Sequence, residues 1–414
     1  MKKQIGYILT LALLTGAFAV NAQTPEDFAA LQKQLNELSA KVAQLEKQQA
    51  EKIATLEQQS NERIAKLETE SSAKLAKLEE DSSKNKIPAW VNDTRFKGDF
   101  RYRYENIASD SVNTVNRDRQ RVRLRIGAYG KVNDDVDCGV RLATGGSSAT
   151  SDDQDVDGGT KKEIRLDQYY VDLHPDQLKG AHLIMGKMPQ PWIDRTGLIW
   201  DGDVNPEGLA VTYETGFTNG IKLMANAGSF VIKEDRSDDL QLWAGQIAGE
   251  TKVGDATVRL GISDFYYQRA DDQGAGVTTT GANTPGTGFN LVDGFGSVGF
   301  NPGIPVVLNG QYVVNVDAAS SDDTAYLLGV TVGKAKDKGS WEAGYNYRDT
   351  GADAVPDGFN DSTFAGGFAG SHGHSFWAKY QIAKNIQGGL TYLMAVDNTG
   401  KDVDTLQADL TFKF

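Results

Sequence analysis

The chain has 414 residues and a formal net charge of −13, from 43 Lys and Arg against 56 Asp and Glu, which argues against nucleic acid as a partner. A single cysteine, Cys138, excludes an internal disulfide and reads as a small apolar filler in a strand beside Val136 and Val140. With 45 Gly and only 10 Pro, the composition suits many strands and turns rather than a disordered tail.

Met1-Lys2-Lys3 precede an apolar run from Ile5 to Val20, which ends in Val20-Asn21-Ala22. A basic start, a short apolar stretch and a small-residue end predict a secretory signal peptide at 1–22, with a mature start near Gln23. The run is too short, and its end too polar, for a membrane-spanning helix. No other stretch approaches such a helix, and mean hydropathy is negative. If this chain is a membrane protein it must be a barrel, because only helices and closed barrels satisfy their backbones in lipid.

Residues 25–83 predict a coiled coil that continues the chain after the leader. Phe28, Leu31, Leu35, Leu38, Val42 and Leu45 alternate spacings of three and four, the seam of a heptad coil. The register then changes to eleven residues, with Ile53/Leu56, Ile64/Leu67 and Leu75/Leu78 in EKIATLEQQSN, ERIAKLETESS and AKLAKLEEDSS. Gln49, Ser60, Ser71 and Ser82 extend that seam as polar or small positions. An eleven-residue period gives a straight or slightly right-handed supercoil. A lone helix could not bury this seam, so self-association is expected; a monomeric charged spacer is the alternative. Residues 84–93 form a linker with a helix stop at Pro88, and Trp90 stands where an aromatic meets a bilayer interface.

From 94 to 414 the pattern is short alternating runs. Sixteen are expected, near 94–106, 117–132, 135–145, 161–173, 180–188, 206–215, 219–231, 239–249, 253–268, 290–300, 305–316, 323–334, 339–348, 372–383, 385–396 and 403–414. Even-numbered connections are short, whereas the odd ones include the long stretches 107–116, 146–160, 189–205, 269–289 and 349–371. Short turns at one end and long loops at the other mark an outer-membrane barrel and put the coil on the turn side, in the periplasm. The predicted fold is an all-β transmembrane barrel of about sixteen antiparallel strands, preceded by an N-terminal α-helical coiled coil. Sixteen strands leave a water-filled lumen.

Cations recur at period two. Arg101 and Arg103 share a face with Arg95 and Lys97; Arg119, Arg121, Arg123 and Arg125 share the next, with Arg117; Arg141 and Arg165 continue it. Guanidinium is costly against lipid, so this face belongs to the lumen or to a partner. Two readings stand: a cationic wall that ranks anions, or a structural ladder paired with Asp99, Glu105, Asp137, Glu163 and Asp167. Loop 189–205 carries Trp192, Asp194, Arg195, Trp200, Asp201 and Asp203, and is more aromatic than an exposed loop. It is expected to fold inward as a constriction that sets acids opposite arginines; capping a neighbouring subunit or the barrel rim is the alternative.

Asp152, Asp153, Asp155 and Asp157 read as solvated loop tips, or as loops bridged to lipopolysaccharide by divalent cations, since the offsets of a calcium loop are missing. The pair His372 and His374 is weak as a metal site. No catalytic triad or metal motif stands out, so no catalytic residue, metal ligand or cofactor is expected.

The stretches GDFRYRYE from Gly98, RDRQRVRLRIGAYGKVNDDVDCGVRLATGG from Arg117, IRLDQYYVDL from Ile164 and GKMPQPWIDRTGLIWDGDVNPEGLAV from Gly186 resemble the "putative porin" family of Gram-negative bacteria. That resemblance covers about residue 90 onward and implies an outer-membrane channel for small hydrophilic solutes, with no site residue to carry over. By analogy with porins, a homotrimer through coil and barrel is preferred. The last strand alternates to Phe412 and Phe414, which resembles the terminal signature that the barrel-assembly machinery recognises for membrane insertion. Passive diffusion narrowed by the Arg wall and loop 189–205 is the leading expectation. An anion-selective porin for phosphate or organic acids, and an envelope tether in which the coil reaches toward peptidoglycan, are the alternatives.

Overall fold

The structure, a computed structural model, describes residues 25–84, 93–194, 196–236, 238–271 and 281–414. The expected leader 1–22, Trp90 with 85–92 of the linker, and Arg195 of the constriction loop lie outside the described residues. Two compact units divide between Ile87 and Pro88.

The described residues of the first unit form one helix, α1 (Pro25–Lys84), of 60 residues. Nothing interrupts it, because the segment has no Gly and no Pro after its first position. At 1.5 Å per residue it is about 90 Å long. Its apolar seam stays exposed: Leu35, Leu45, Leu56, Leu67 and Leu78 each show about half or more of their surface. No described helix is long and apolar enough to cross a membrane.

The second unit is a sheet of β1 (Arg95–Ser109), β2 (Arg117–Asn133), β3 (Val136–Thr144), β4 (Gln154–Asp155), β5 (Ile164–Leu173), β6 (Ala181–Lys187), β7 (Glu207–Gly216) and β8 (Lys222–Lys233). It continues through β9 (Leu240–Val253), β10 (Ala256–Gln268), β11 (Phe289–Phe300), β12 (Val306–Asn315), β13 (Thr324–Gly333) and β14 (Trp341–Thr350). The last three strands are β15 (Ser371–Ala383), β16 (Ile386–Val396) and β17 (Asp402–Lys413). All sixteen expected runs form strands, with ends moved by a few residues, and β4 is a two-residue addition. Each long strand pairs antiparallel with the next, and β17 returns to β1 from Ser109↔Val403 to Asp99↔Lys413, so the ring closes. Gly98 N–H donates to the Phe414 carbonyl at 2.8 Å and Phe414 N–H returns the bond at 3.0 Å. The Phe414 ring lies over Gly98, where a Cβ would meet it at 2.5 Å, so only glycine fits beneath it.

Alternation divides every strand between two faces. On β9, Leu240, Leu242, Ala244, Gln246 and Ala248 are buried while Trp243 and Ile247 between them are exposed. Outward residues such as Leu209, Leu260, Leu308, Leu328 and Leu390 form an exposed apolar wall all round the ring. So much exposed apolar surface has lipid as its solvent. Aromatics gird both rims: Phe96, Phe300, Trp341 and Tyr380 at the turn end, and Trp243, Tyr266, Tyr312 and Tyr392 at the loop end. The connections alternate as expected, from the two-residue turns at 134–135, 254–255 and 384–385 to the long loops 145–163, 188–206 and 351–370.

Candidate functional site: a paired arginine ladder and an inward loop

The ladder begins with backbone register. Arg101 stands opposite Arg123, and Arg103 opposite Arg121, on the inner face of β1 and β2. Like charges directly opposite repel, so each needs a counterion. The structure supplies one to every arginine of the set. Arg101 meets Asp153 at 2.7 Å, and Arg103 meets Asp409 of β17 at 2.7 Å and Asp153 at 3.4 Å. Arg119 is 2.6 Å from Glu105 and 3.2 Å from Asp155; Arg121 is 3.2 Å from Asp155 and 3.7 Å from Glu105. Arg123 and Arg125 share Asp99 at 2.8 Å each and approach Asp203 at 3.7 and 3.5 Å. Arg141 pairs with Asp167. Arg165 lies opposite Ala143 on the same face, but its partner is Glu163 and the pair is half exposed, apart from the buried group.

Three counterions were not expected where they sit. Asp152 and Asp153 are buried rather than solvated tips, and Asp155 lies between Arg119 and Arg121. The expectation of solvated tips is corrected for Asp152 and Asp153, because the loop that carries them folds back along β2; Asp155 stays exposed but is paired. Asp157 remains exposed. Burial works to raise the Asp153 carboxyl, and the guanidinium groups of Arg101, Arg103 and Arg121 overrule it and hold it below the usual carboxylate range. Asp152 goes the other way: burial first, then Asp203 and Asp167, push it up to about 7 against the pull of Arg125 and Arg141.

Loop 188–206 crosses the inside of the ring. At one end, Thr196 donates to Gln311 of β12, the Gly197 carbonyl accepts from Arg348 of β14 at 3.5 Å, and the Ile193 N–H donates to Gln246 of β9 at 2.8 Å. At the other, Asp203 faces Arg123 and Arg125 of β2, and Asn205 donates to Asp167 of β5 at 2.8 Å. β2 and β12 lie almost halfway round the ring from one another, so a loop touching both must span the lumen. Its aromatics drive it there. Trp192 packs 5.1 Å from Phe265, 5.3 Å from Phe230 and 5.4 Å from Trp200, while Trp200 stacks 5.0 Å from Phe359. Met188, Leu198, Ile199 and Val204 join the same apolar core against β8 to β13.

The three acids of that loop part company. Asp203 reaches the ladder. Asp194 borders a recess with Asp293 and Gln311. Asp201 accepts from the Ser362 N–H at 2.9 Å and its hydroxyl at 3.0 Å, tying the loop to 351–370. Burial, then Asp361, raises Asp201 to about 7. The meeting of acids and arginines is made by Asp203, with both Arg123 and Arg125, while Asp201 is held by Ser362 of loop 351–370.

The histidines lie elsewhere. His374 is on β15 with its Nδ1 2.9 Å from the Tyr345 hydroxyl, and His182 is 3.0 Å from Asp172. Among the described residues no three His, Cys, Asp or Glu side chains converge as a metal site.

A closed ring of sixteen long strands with an apolar exterior, a charged interior and a loop across its lumen is an outer-membrane channel. The chain belongs to the family described as "Putative porin", whose model matches residues 110–286 and 302–414. Similar folds include OmpF of Salmonella typhi in a complex with daunomycin, at 10% identity and TM-score 0.49, covering 78% of this chain and 99% of that one. A Rhodopseudomonas blastica porin triple mutant matches at 13% identity and TM-score 0.44, covering 78% and 100%. The loop L8 deletion mutant of OmpT from Vibrio cholerae matches at 14% identity and TM-score 0.45, covering 78% and 99%. No curated protein sequence matches the chain.

Proposed function

We propose that this porin passes small hydrophilic solutes by diffusion, through an eyelet bounded by the arginine ladder and loop 189–205. The observation that carries this reading is the loop's reach from Asp203 at β2 to Thr196 at β12, which leaves solute only the space beside it. An anion-selective channel needs guanidinium free to meet anions, whereas all eight arginines of the set are in ion pairs. Purified protein in a planar bilayer should give stepwise, ohmic conductance and a reversal potential near zero in a KCl gradient. Absence of steps removes the porin reading, and a strong chloride preference restores the anion-selective one.

The eyelet's charge should follow pH in one direction. Asp152 faces Arg125, Arg141, Asp167 and Asp203, and Asp201 faces Asp361, Asp203 and Ser362; both are raised to about 7. Each is neutral below that value and negative above it. Potassium preference should therefore rise between pH 6 and pH 8, and Asp152→Asn with Asp201→Asn should flatten the response. An unchanged slope in that double variant assigns the titration to other groups.

We further infer that α1 is a self-associating periplasmic rod. Its support is the exposed seam on a helix about 90 Å long, which has the reach of a tether toward peptidoglycan. Deleting 25–83 should spare unit conductance and leave cells more sensitive to detergent. Unaltered sensitivity removes the tether.

A further inference from the structure

β2 is 17 residues long and β3 only 9, so β3 stops alongside Ala143, opposite Arg125. Above that point β2 would face the neighbouring wall with unpaired backbone, which is costly at membrane depth. The chain repairs the gap with a strap from its own loop. β4 pairs Arg121↔Asp155 and Val122↔Gln154, and the Val156 N–H donates to the Gln120 carbonyl at 2.8 Å. Below it, the Thr144 hydroxyl accepts from the Leu124 N–H at 2.9 Å and donates to the Asp152 carbonyl at 2.8 Å. The strap's position is thus fixed by backbone pairing as well as by charge.

That pairing lays the strap's carboxylates along the ladder. The strands themselves bring six buried or half-buried arginines, at 101, 103, 119, 121, 123 and 125, against three carboxylates, Asp99, Glu105 and Asp409. Three positive charges would remain. Asp153 answers Arg101, Arg103 and Arg121, with its side chain 4% exposed, and Asp155 answers Arg117, Arg119 and Arg121. Resting on the porin reading above, we propose that Asp153 and Asp155 of this strap, rather than the barrel wall, determine the ion preference of the channel. The wall alone is an anion filter; the strap cancels two of its three surplus charges, and Asp203 of loop 188–206 meets Arg123 and Arg125 for the third. A strap that is one short loop segment is also easier to vary than a set of registered strands.

The test is the reversal potential of the full-length protein in a KCl gradient. Asp153→Asn with Asp155→Asn should raise the chloride-to-potassium permeability ratio by about threefold or more, since two negative charges are removed from beside the arginine ladder. Asp153→Glu with Asp155→Glu keeps the charge and should leave the ratio as in the parent. Asp155→Asn alone changes a side chain that is 44% exposed and spares the buried contact, and should shift the ratio in the same direction by less. Asp157→Asn, exposed in the same loop, should not shift it. Channels whose ratio stays put in both Asn variants, or moves equally in the Glu variant, overturn the proposal while leaving the porin intact. A parent protein that makes no channels overturns the porin reading instead.

Discussion

Replacing residues 192–203 by a short glycine link should raise unit conductance severalfold and pass larger neutral solutes in a liposome-swelling assay. The segment spans from the β9 and β12 walls to the ladder, so its removal opens the cross-section it now occupies. The change has a cost that can be read separately. Phe230, Phe265, Leu242 and Leu291 are buried beneath Trp192, Trp200 and Leu198, and would face water. Trp192→Ala isolates that cost. Losing a buried aromatic costs about 3–5 kcal/mol, enough to loosen the loop without deleting it. Its channels should therefore flicker between the parent level and higher ones. Unchanged conductance in the deletion would place the narrowest point elsewhere in the barrel.

The barrel was legible in the sequence because each strand carries its own period of two and each turn its own punctuation. The pairing of 403–414 with 94–106 closes the ring, and its register sets Asp409 beside Arg103 and Gln407 beside Glu105. Loop 189–205 was legible as an inward element because tryptophans in a loop need an apolar surface, and β8 to β13 provide one. What alternation cannot carry is register beyond the strands. Asp153 and Asp155 look like any acidic loop until β4 docks on β2, a pairing only two residues long. Asp201 and Asp203 sit two positions apart, yet one binds loop 351–370 and the other the ladder. A bulge between Arg141 and Leu142 in the β3–β5 pairing sets both Asp167 and Gln168 inside. Strict alternation would have sent one of them to the lipid. Arg348, which holds Asp361 at 2.9 Å and stacks 4.2 Å from the Phe364 ring, gave no local signal either. Its partners lie on two loops, Asp361 and Phe364 on 351–370 and Gly197 on 188–206.

Closure itself should depend on one buried pair. Arg103 of β1 grips Asp409 of β17 through two parallel bonds, Nε to Oδ1 at 2.7 Å and Nη2 to Oδ2 at 2.8 Å. The pair bridges the seam between first and last strands, with the Arg103 side chain 8% exposed. Beside it, Gln407 donates to Glu105 at 2.8 Å across the same seam. Arg103→Ala removes a guanidinium and leaves Asp409 and Asp153 desolvated with one cation fewer, a loss of about 3–5 kcal/mol for a broken buried pair. The midpoint of urea unfolding of the folded barrel, followed by its gel mobility, should fall accordingly. Arg103→Ala combined with Asp409→Ala should recover part of the loss, since the stranded charge goes with its partner. Arg165→Ala is the control: its pair with Glu163 is half exposed, and such pairs contribute about 0–1 kcal/mol. Equal midpoints for Arg103→Ala and Arg165→Ala would mean that the backbone ladder alone holds the seam. A larger fall for Arg103→Ala assigns part of that work to charge, and joins pore and closure in one residue.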